Sequence, residues 1–202
     1  MTNQDYWQQK HTEYGKNGHT HKPSIFAKEF AKVLTAGGGI KGGKLLELGA
    51  GLGQDGRYFQ QLGFEVVSTD QLASKGIQSL NMREQPWPFA SGQFDTVYAH
   101  LSLHYFDDIT TQKIFAEIYR VLKPGGVLAF LVNSKSDPEY DQSQEIEDGL
   151  IKIGDRSKRF FDVKMAQSFA KDFTQILADD GGETYKDAER GIHHLIRFVG
   201  KK

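Results

Sequence analysis

The pattern of hydrophobic and polar positions changes at about residue 23. From there, short apolar runs typical of strands covered on both faces alternate with amphipathic stretches of helical spacing. The apolar runs predict strands over residues 44–50, 64–70, 94–99, 127–132, 174–177 and 193–199, with a weaker strand before the turn at 86–89. The amphipathic stretches predict helices over residues 23–36, 54–62, 74–80, 111–122 and 163–171.

Strands that alternate with helices pair in parallel through right-handed crossovers. We therefore expect an α/β fold with a doubly wound, mostly parallel sheet, and a ligand site beyond the carboxyl ends of its strands. Residues 1–22 are polar with scattered aromatic side chains, which favours a flexible arm, and residues 23–202 would form a single domain. Within that domain, residues 133–160 form a long polar excursion, either a substrate-side lid or a solvated loop.

Composition narrows the class of partner. Lysine and arginine total 25 against 26 for aspartate and glutamate, so the net charge is −1 and nucleic acid is not the expected partner. The absence of cysteine removes disulfides and thiolate chemistry. The chain has neither the roughly 18 consecutive apolar residues of a membrane span nor an apolar segment at its start. We expect a soluble cytoplasmic protein that binds no membrane, of an oligomeric state that the sequence does not indicate.

A glycine-rich loop follows the first predicted strand. It reads Glu47-Leu48-Gly49-Ala50-Gly51-Leu52-Gly53, which is Gly-x-Gly-x-Gly rather than the Gly-x-Gly-x-x-Gly of dinucleotide enzymes. Glycines here let the backbone approach a ligand, and the helix that follows favours an anionic group at its amino end. Glu47 would repel a pyrophosphate but could orient the loop or meet a cationic ligand through water. An ordinary tight turn is the alternative interpretation.

A carboxylate closes the second predicted strand. Asp70 lies 21 positions after Gly49, where it could accept hydrogen bonds from both hydroxyls of a ribose. Together, the loop and Asp70 favour a nucleoside ligand over a simple turn.

These motifs, taken in order, resemble class I S-adenosylmethionine-dependent methyltransferases, in particular the small-molecule (methyltransferase type 11 and tellurite-resistance-like) subgroup. The resemblance runs from about Pro23 to the C-terminus and rests on ELGAGLGQDGRYF, FEVVSTD, PWPFASGQFDTVYAHLSLHYF and EIYRVLKPGGVLAFLV. It implies a seven-stranded Rossmann-like sheet with an antiparallel C-terminal strand beside the fifth strand. It also implies methyl transfer from S-adenosyl-L-methionine to a small-molecule acceptor, with S-adenosyl-L-homocysteine as the product.

The resemblance assigns cofactor contacts to particular residues. These are Glu47, Gly49, Ala50, Gly51 and Gly53 for the methionine part, Asp70 and Gln71 for the ribose, Asn81, Met82 and Arg83 for the adenine, and His100 and Leu101 beside the reacting methyl group. Relatives often have Asp at the position of Asn81, so this adenine contact would be neutral here. Met82 suits core packing equally well.

The acceptor side is less defined by the sequence. His100 and His104 are the candidates for accepting a proton from the acceptor, although methyl transfer does not always need a base. For His104 we favour a local hydrogen bond that shapes the loop. The other substrate-side candidates are Tyr105 after the fourth strand, Tyr140 in the excursion, and Tyr6, Trp7 and Tyr14 of the arm, which related enzymes often fold over the cofactor.

Two other functions and a metal site compete with this interpretation. A nicotinamide-dependent oxidoreductase is disfavoured by the glycine spacing and by Glu47, whereas a non-catalytic nucleoside-binding protein remains possible because fold does not fix function. The pairs His19–His21 and His193–His194 lack acidic or cysteine partners at metal-ligand spacing, so we expect no metal site.

Overall fold

A computed structural model describes residues 3–16, 22–35, 42–154, 156–184 and 194–202. Its helices are α1 (Asn3–Lys16), α2 (Ile25–Thr35), α3 (Gln54–Gln61), α4 (Asp108–Val121) and α5 (Val163–Phe169). Its strands are β1 (Gly43–Leu48), β2 (Phe64–Asp70), β3 (Gln78–Ser79), β4 (Phe94–His100), β5 (Leu122–Val132), β6 (Glu145–Glu147), β7 (Leu150–Ile153), β8 (Arg156–Arg159), β9 (Thr174–Gly182) and β10 (Leu195–Lys201).

Seven strands form the main sheet in the order β3-β2-β1-β4-β5-β10-β9. β1 pairs in parallel with β2 and β4, and β4 pairs in parallel with β5. β10 runs antiparallel to both of its neighbours, β5 and β9. This arrangement confirms the predicted doubly wound sheet with an antiparallel C-terminal strand beside the fifth. The carboxyl ends of β1, β2 and β4 therefore meet at one edge, where such sheets bind ligands.

Helices cover both faces of this sheet because its strands are apolar on both sides. On one face α2 and α3 pack aromatic rings onto β4, and the ring centroids of Phe59 and Tyr98 lie 5.0 Å apart. On the other face α4 and α5 enclose a second apolar cluster that includes Phe115 and Phe130. These two cores fix the relative positions of the strand ends at the edge where such sheets bind ligands, which we call the ligand edge.

The predicted helix over residues 74–80 is wrong. Ser74 and Ile77 instead exchange two backbone hydrogen bonds, of 3.2 and 2.9 Å, in a tight turn around Gly76. Gly76 has φ of 81°, a left-handed conformation that a right-handed helix does not contain. The chain then enters the two-residue strand β3, so a third strand exists but is short.

The excursion over residues 133–160 has more regular structure than a polar loop. β6, β7 and β8 form a separate three-stranded antiparallel sheet, preceded by a short 3₁₀ helix over Gln142–Gln144. Buried Leu150 and Ile151 supply its apolar side. We call these strands the small sheet.

Within the predicted arm over residues 1–22, Asn3–Lys16 form the helix α1. Several predicted boundaries also shift: α4 begins at Asp108 because the carboxylate of Asp107 accepts a hydrogen bond of 2.7 Å from Thr110 N. β10 begins at Leu195, and residue 193 of the predicted strand lies outside the described residues. Within the described ranges, no helix combines the length and apolar character that crossing a membrane requires.

Candidate active site

The glycine loop leaves β1 with three left-handed residues. Gly49, Gly51 and Gly53 have φ of 70°, 57° and 72°. At Gly49 the constraint is also steric, because an added Cβ would lie 2.3 Å from Cβ of Ser102 in the loop after β4. Ser102 Oγ in turn donates a 2.7 Å hydrogen bond to Leu48 O. The loops after β1 and β4 are therefore in direct contact, and only glycine fits at their junction.

Asp70 ties the end of β2 to this loop. One carboxylate oxygen accepts a 2.9 Å hydrogen bond from Gly51 N, and the other accepts a 2.9 Å hydrogen bond from Leu72 N. Because a carboxylate can accept about four hydrogen bonds, both oxygens retain capacity for ligand hydroxyls. Asp70 is half-buried beside the loop, which suits contact with a ribose.

Glu47 lies under the loop, contrary to its predicted place along the methionine part of a cofactor. Its side chain is buried, and its oxygens accept hydrogen bonds from Gly56 N at 3.1 Å and from Ser68 Oγ at 2.6 Å. Burial, with a smaller contribution from the charge of Asp55, raises the pKa of Glu47 to about 8, although the two hydrogen bonds oppose the shift. Glu47 therefore holds the first turn of α3 in place, the loop-orienting role that the sequence left open.

Two features that support the glycine loop and α3 cannot be predicted from the glycine motif. An added Cβ at Gly56 would lie 2.4 Å from both Glu47 Oε2 and Ser68 Oγ, so a fourth glycine is required one turn into α3. Below it, buried Asp55 accepts hydrogen bonds from Ser24 N at 2.6 Å and from the Tyr98 hydroxyl at 2.8 Å. This network joins the start of α2 to α3 and β4.

A cavity of about 540 Å³ lies at the ligand edge of the sheet. Its volume is in the range of small-molecule sites. The sheet side supplies the glycine loop, the segment after β2 and the end of β3, namely Gly51, Leu52, Gln71, Leu72, Ala73, Ser74 and Ser79. α1 supplies the opposite wall through Gln8, His11 and Thr12.

Sequence reasoning missed His11. An added Cβ at Gly51 would lie 3.6 Å from His11 Nε2, and the imidazole also interacts electrostatically with Asp70. Burial lowers the pKa of His11, and the negative charge of Asp70 opposes the shift. The predicted arm thus covers the glycine loop as a helix.

The predicted adenine segment has a mixed outcome. Asn81 accepts a 3.2 Å hydrogen bond from Arg83 N and donates one of 2.8 Å to Glu84. Met82 is half-buried against the core. The Arg83 guanidinium lies over the Phe106 ring and donates a 3.0 Å hydrogen bond to Tyr105 O, so its side chain faces the loop after β4 rather than the cavity. The adenine contacts of Asn81 and Met82 stay predictions.

The loop after β4 begins with a strained residue. Leu101 has φ of 52°, the single non-glycine residue with positive φ in the part of the chain that the structure describes. Such strain is typical of functional sites. His100 and Leu101 are half-buried, and adjacent Ser102 contacts the glycine loop. Their contact with the reacting methyl group stays a prediction.

His104 and Tyr105 lie deeper in this loop. The His104 side chain is buried, and its Nδ1 has no hydrogen-bond partner among the described residues, which gives no support to the predicted local hydrogen bond. Burial lowers the pKa of His104 well below its ordinary value, and the charge of Lys158 acts in the same direction. His104 is therefore neutral near pH 7. A proton-accepting role for either His100 or His104 stays a prediction.

α1 and the small sheet meet over Tyr105. The Trp7 ring packs edge-on against Tyr105 with centroids 6.0 Å apart, and the Arg156 guanidinium of β8 lies 3.9 Å from the centroid of the Tyr6 ring. Tyr140 is further out on the small-sheet side and donates a 2.5 Å hydrogen bond to Glu145. The structure therefore brings Tyr6, Trp7 and Tyr105 together.

Some candidates lie outside the description. These are the side chain of Tyr14 and the residues His19, His21 and His193. Exposed His194 has Asp180 at 3.9 Å.

Known proteins share this fold and the central sequence. Residues 46–130 match the family described as "Methyltransferase domain". A malonyl-[acyl-carrier protein] O-methyltransferase of Enterobacter lignolyticus is 33% identical over 127 residues, which cover 58% of this chain and 45% of that protein. A demethylmenaquinone methyltransferase of Renibacterium salmoninarum is 31% identical over 107 residues, which cover 48% of this chain and 44% of that protein. The chain thus spans about half the length of the curated relatives that it matches.

The solved structure of a 1,6-didemethyltoxoflavin-N1-methyltransferase of Burkholderia thailandensis, with bound 1,6-didemethyltoxoflavin and S-adenosylhomocysteine, superposes with a TM-score of 0.68 at 17% identity. The match covers 98% of this chain and 89% of that one. The chain therefore has the same fold as this solved methyltransferase. The family match covers residues 46–130, which is less than half of the 202-residue chain.

Proposed function

We propose that this protein transfers the methyl group of S-adenosyl-L-methionine to a small-molecule acceptor. One observation carries the proposal: the amide of Gly51, within a loop of three left-handed glycines, is bound to the carboxylate of Asp70 at the edge of a 540 Å³ cavity. This combination fits a nucleoside attached to a small charged group.

The residues present fit that cofactor part by part. The glycine-loop backbone and the amino end of α3 favour the carboxylate of the methionyl part. Asp70 accepts from the ribose hydroxyls, Gln71 lies beside it on the cavity wall, and α1 closes the site through His11. The sulfonium of the bound cofactor supplies an electrophilic methyl group. Holding the acceptor in line and excluding water can supply about 7–11 kcal/mol of the barrier, so a dedicated catalytic base is not required.

Other observations disfavour the two competing functions. The glycine spacing by itself does not exclude a pyrophosphate, because residues 51–56 read Gly-x-Gly-x-x-Gly. The oxidoreductase is disfavoured because the family match and the curated relatives are methyltransferases. A non-catalytic nucleoside-binding protein would need only the cofactor side, whereas here α1 also packs Tyr6 and Trp7 beside Tyr105 of the loop after β4. Transfer to a small molecule is further supported by the net charge of −1, which provides no net positive charge to attract a nucleic acid. A cytoplasmic location stays a prediction.

Calorimetric titration with S-adenosylmethionine and S-adenosylhomocysteine tests the proposal. We expect saturable binding of both, and we expect Asp70→Ala to weaken both by about fivefold or more because a charge-assisted hydrogen bond is lost. The matched control is Glu65→Ala, which removes an exposed carboxylate from the same strand. Absence of binding by the unmodified protein at millimolar ligand, or NADH binding more tightly than either ligand, would overturn the proposal.

A further inference from the structure

Three cationic side chains lie along β8, and two of them are neutralised within the protein. Lys158 pairs with Glu139. Arg159 is buried and lies 2.8 Å from both Asp108 and Glu147. The positive charges of Lys158 and Arg159 are therefore balanced by carboxylates.

Arg156 differs from both. No carboxylate or other hydrogen-bond acceptor of the described residues takes a hydrogen bond from its guanidinium, which lies instead over the face of Tyr6. Every other arginine that the structure describes donates to a protein oxygen, as seen for Arg57, Arg83, Arg120, Arg159 and Arg197. Arg156 is only half-buried, so its planar fork of donors remains available to a ligand.

The surroundings of Arg156 point to the acceptor side of the site. Burial raises the pKa of the Tyr105 hydroxyl and the neighbouring Tyr6 hydroxyl raises it further, whereas the charge of Arg156 lowers it. Trp7 packs against both Tyr6 and Tyr105, so Tyr105 belongs to the same group of side chains as Arg156. The rings of Tyr6, Trp7 and Tyr105 form an apolar wall beside it, with Tyr6 and Trp7 centroids 5.3 Å apart. Tyr105 itself follows the strained start of the loop that contacts the glycine loop.

We propose that Arg156 binds an anionic group of the methyl acceptor, a carboxylate or a phosphate, while the rings of Tyr6, Trp7 and Tyr105 contact the apolar part of the same molecule. This assignment rests on the proposed function and narrows its substrate class. A guanidinium fork held over an aromatic ring can offer two parallel hydrogen bonds to such oxygens. The neighbouring carboxylate of Glu139 does not cancel this preference, because Lys158 pairs with it.

Binding of matched probes to the protein saturated with S-adenosylhomocysteine tests the assignment. The probes are benzoate, phenyl phosphate and the neutral benzamide, each titrated by calorimetry. We expect one or both anions to bind at least about tenfold more tightly than benzamide, since a charge-assisted contact contributes on the order of a tenfold change in affinity or more. The stronger of the two anions identifies whether the group is a carboxylate or a phosphate.

Arg156→Met should remove this preference while the affinity for S-adenosylhomocysteine stays unchanged. Arg156→Lys keeps the charge but loses the fork, so its preference should be intermediate. The control is Lys152→Met, which removes an exposed positive charge from β7 of the same small sheet and should keep the full preference.

The possible outcomes separate the two proposals. Three outcomes would overturn the assignment to Arg156 if cofactor binding is intact, and they would leave the proposed function standing. The anions and benzamide could bind with equal affinity, neither anion could show saturable binding at millimolar concentration, or the preference for anions could survive Arg156→Met. If neither S-adenosylmethionine nor S-adenosylhomocysteine binds, the proposed function fails, and the assignment to Arg156 fails with it.

Discussion

The buried carboxyl group of Glu47 makes the stability of this protein depend on pH in an unusual direction. Its pKa is raised from 4.5 to about 8 in the folded protein, primarily by burial. Between these values the folded protein keeps a proton that the unfolded chain releases. The free energy of unfolding therefore falls as pH rises through this window, and the contribution of Glu47 is fully present only below the ordinary pKa.

The magnitude follows from the size of the pKa shift. One pKa unit corresponds to about 1.4 kcal/mol. The titration of Glu47 alone would therefore lower the free energy of unfolding by at most on the order of 4 kcal/mol between pH 5 and pH 8. Glu47→Gln removes the titration and keeps the shape. Its amide oxygen can accept from Gly56 N, and its amide nitrogen can donate to the Ser68 hydroxyl, which rotates to accept.

Urea denaturation followed by tryptophan fluorescence, repeated across this pH range, measures the effect. The quantity of interest is the difference between the unmodified protein and Glu47→Gln, because other titrating groups cancel in it. We expect the unmodified protein to lose stability relative to the variant as pH rises. Parallel pH profiles, or a gain of the unmodified protein relative to the variant, would refute the reasoning.

Two further substitutions test the supports of the site. Tyr98→Phe keeps the ring but removes a hydroxyl that donates to buried Asp55. Urea denaturation should therefore show a free energy of unfolding lower by about 1–3 kcal/mol. A change near zero would contradict the role of this hydrogen bond. Gly49→Ala forces a Cβ to within 2.3 Å of Ser102 and should weaken S-adenosylhomocysteine binding in calorimetry. Gly76→Ala is the control, because it has the same left-handed strain but no atom within 4 Å, and equal losses in both variants would show that the contact with Ser102 does not matter.

Local patterns predicted the sheet and the cofactor loop well. β1, β2, β4 and the central part of β5 are apolar runs set by the requirement that both faces be covered, which depends little on distant residues. Gly49, Gly51 and Gly53 have the left-handed conformations that their spacing indicates. Asp70 lies beside the loop because parallel strands end at the same edge.

Features that depend on tertiary contacts were missed or misplaced. The turn at Ser74–Ile77 follows from the conformation of Gly76, whereas the apolar spacing around it suggested a helix. The Glu47 side chain can lie under the loop only because Gly56, nine positions later in the chain, has no side chain to fill that space. α1 has few apolar positions along its length, so no sequence period shows that Trp7 packs against Tyr105.

The acceptor side was the least predictable part for the same reason. Arg156 is one of several charged residues in a polar stretch, and nothing in the sequence separates it from Lys158 or Arg159. The difference between them appears only when the small sheet places two of these charges beside carboxylates and the third over an aromatic ring.

The central claim is methyl transfer, and following the methyl group tests it most directly. The protein is incubated with methyl-labelled S-adenosylmethionine and a panel of small acceptors that carry hydroxyl, amine, thiol, carboxylate or phosphate groups, with Asp70→Ala in parallel. We predict that label moves to at least one acceptor, together with release of S-adenosylhomocysteine, and that Asp70→Ala lowers the rate at limiting cofactor. Label that stays on the cofactor across the whole panel, while the cofactor is bound, would contradict the account and favour a non-catalytic nucleoside-binding protein.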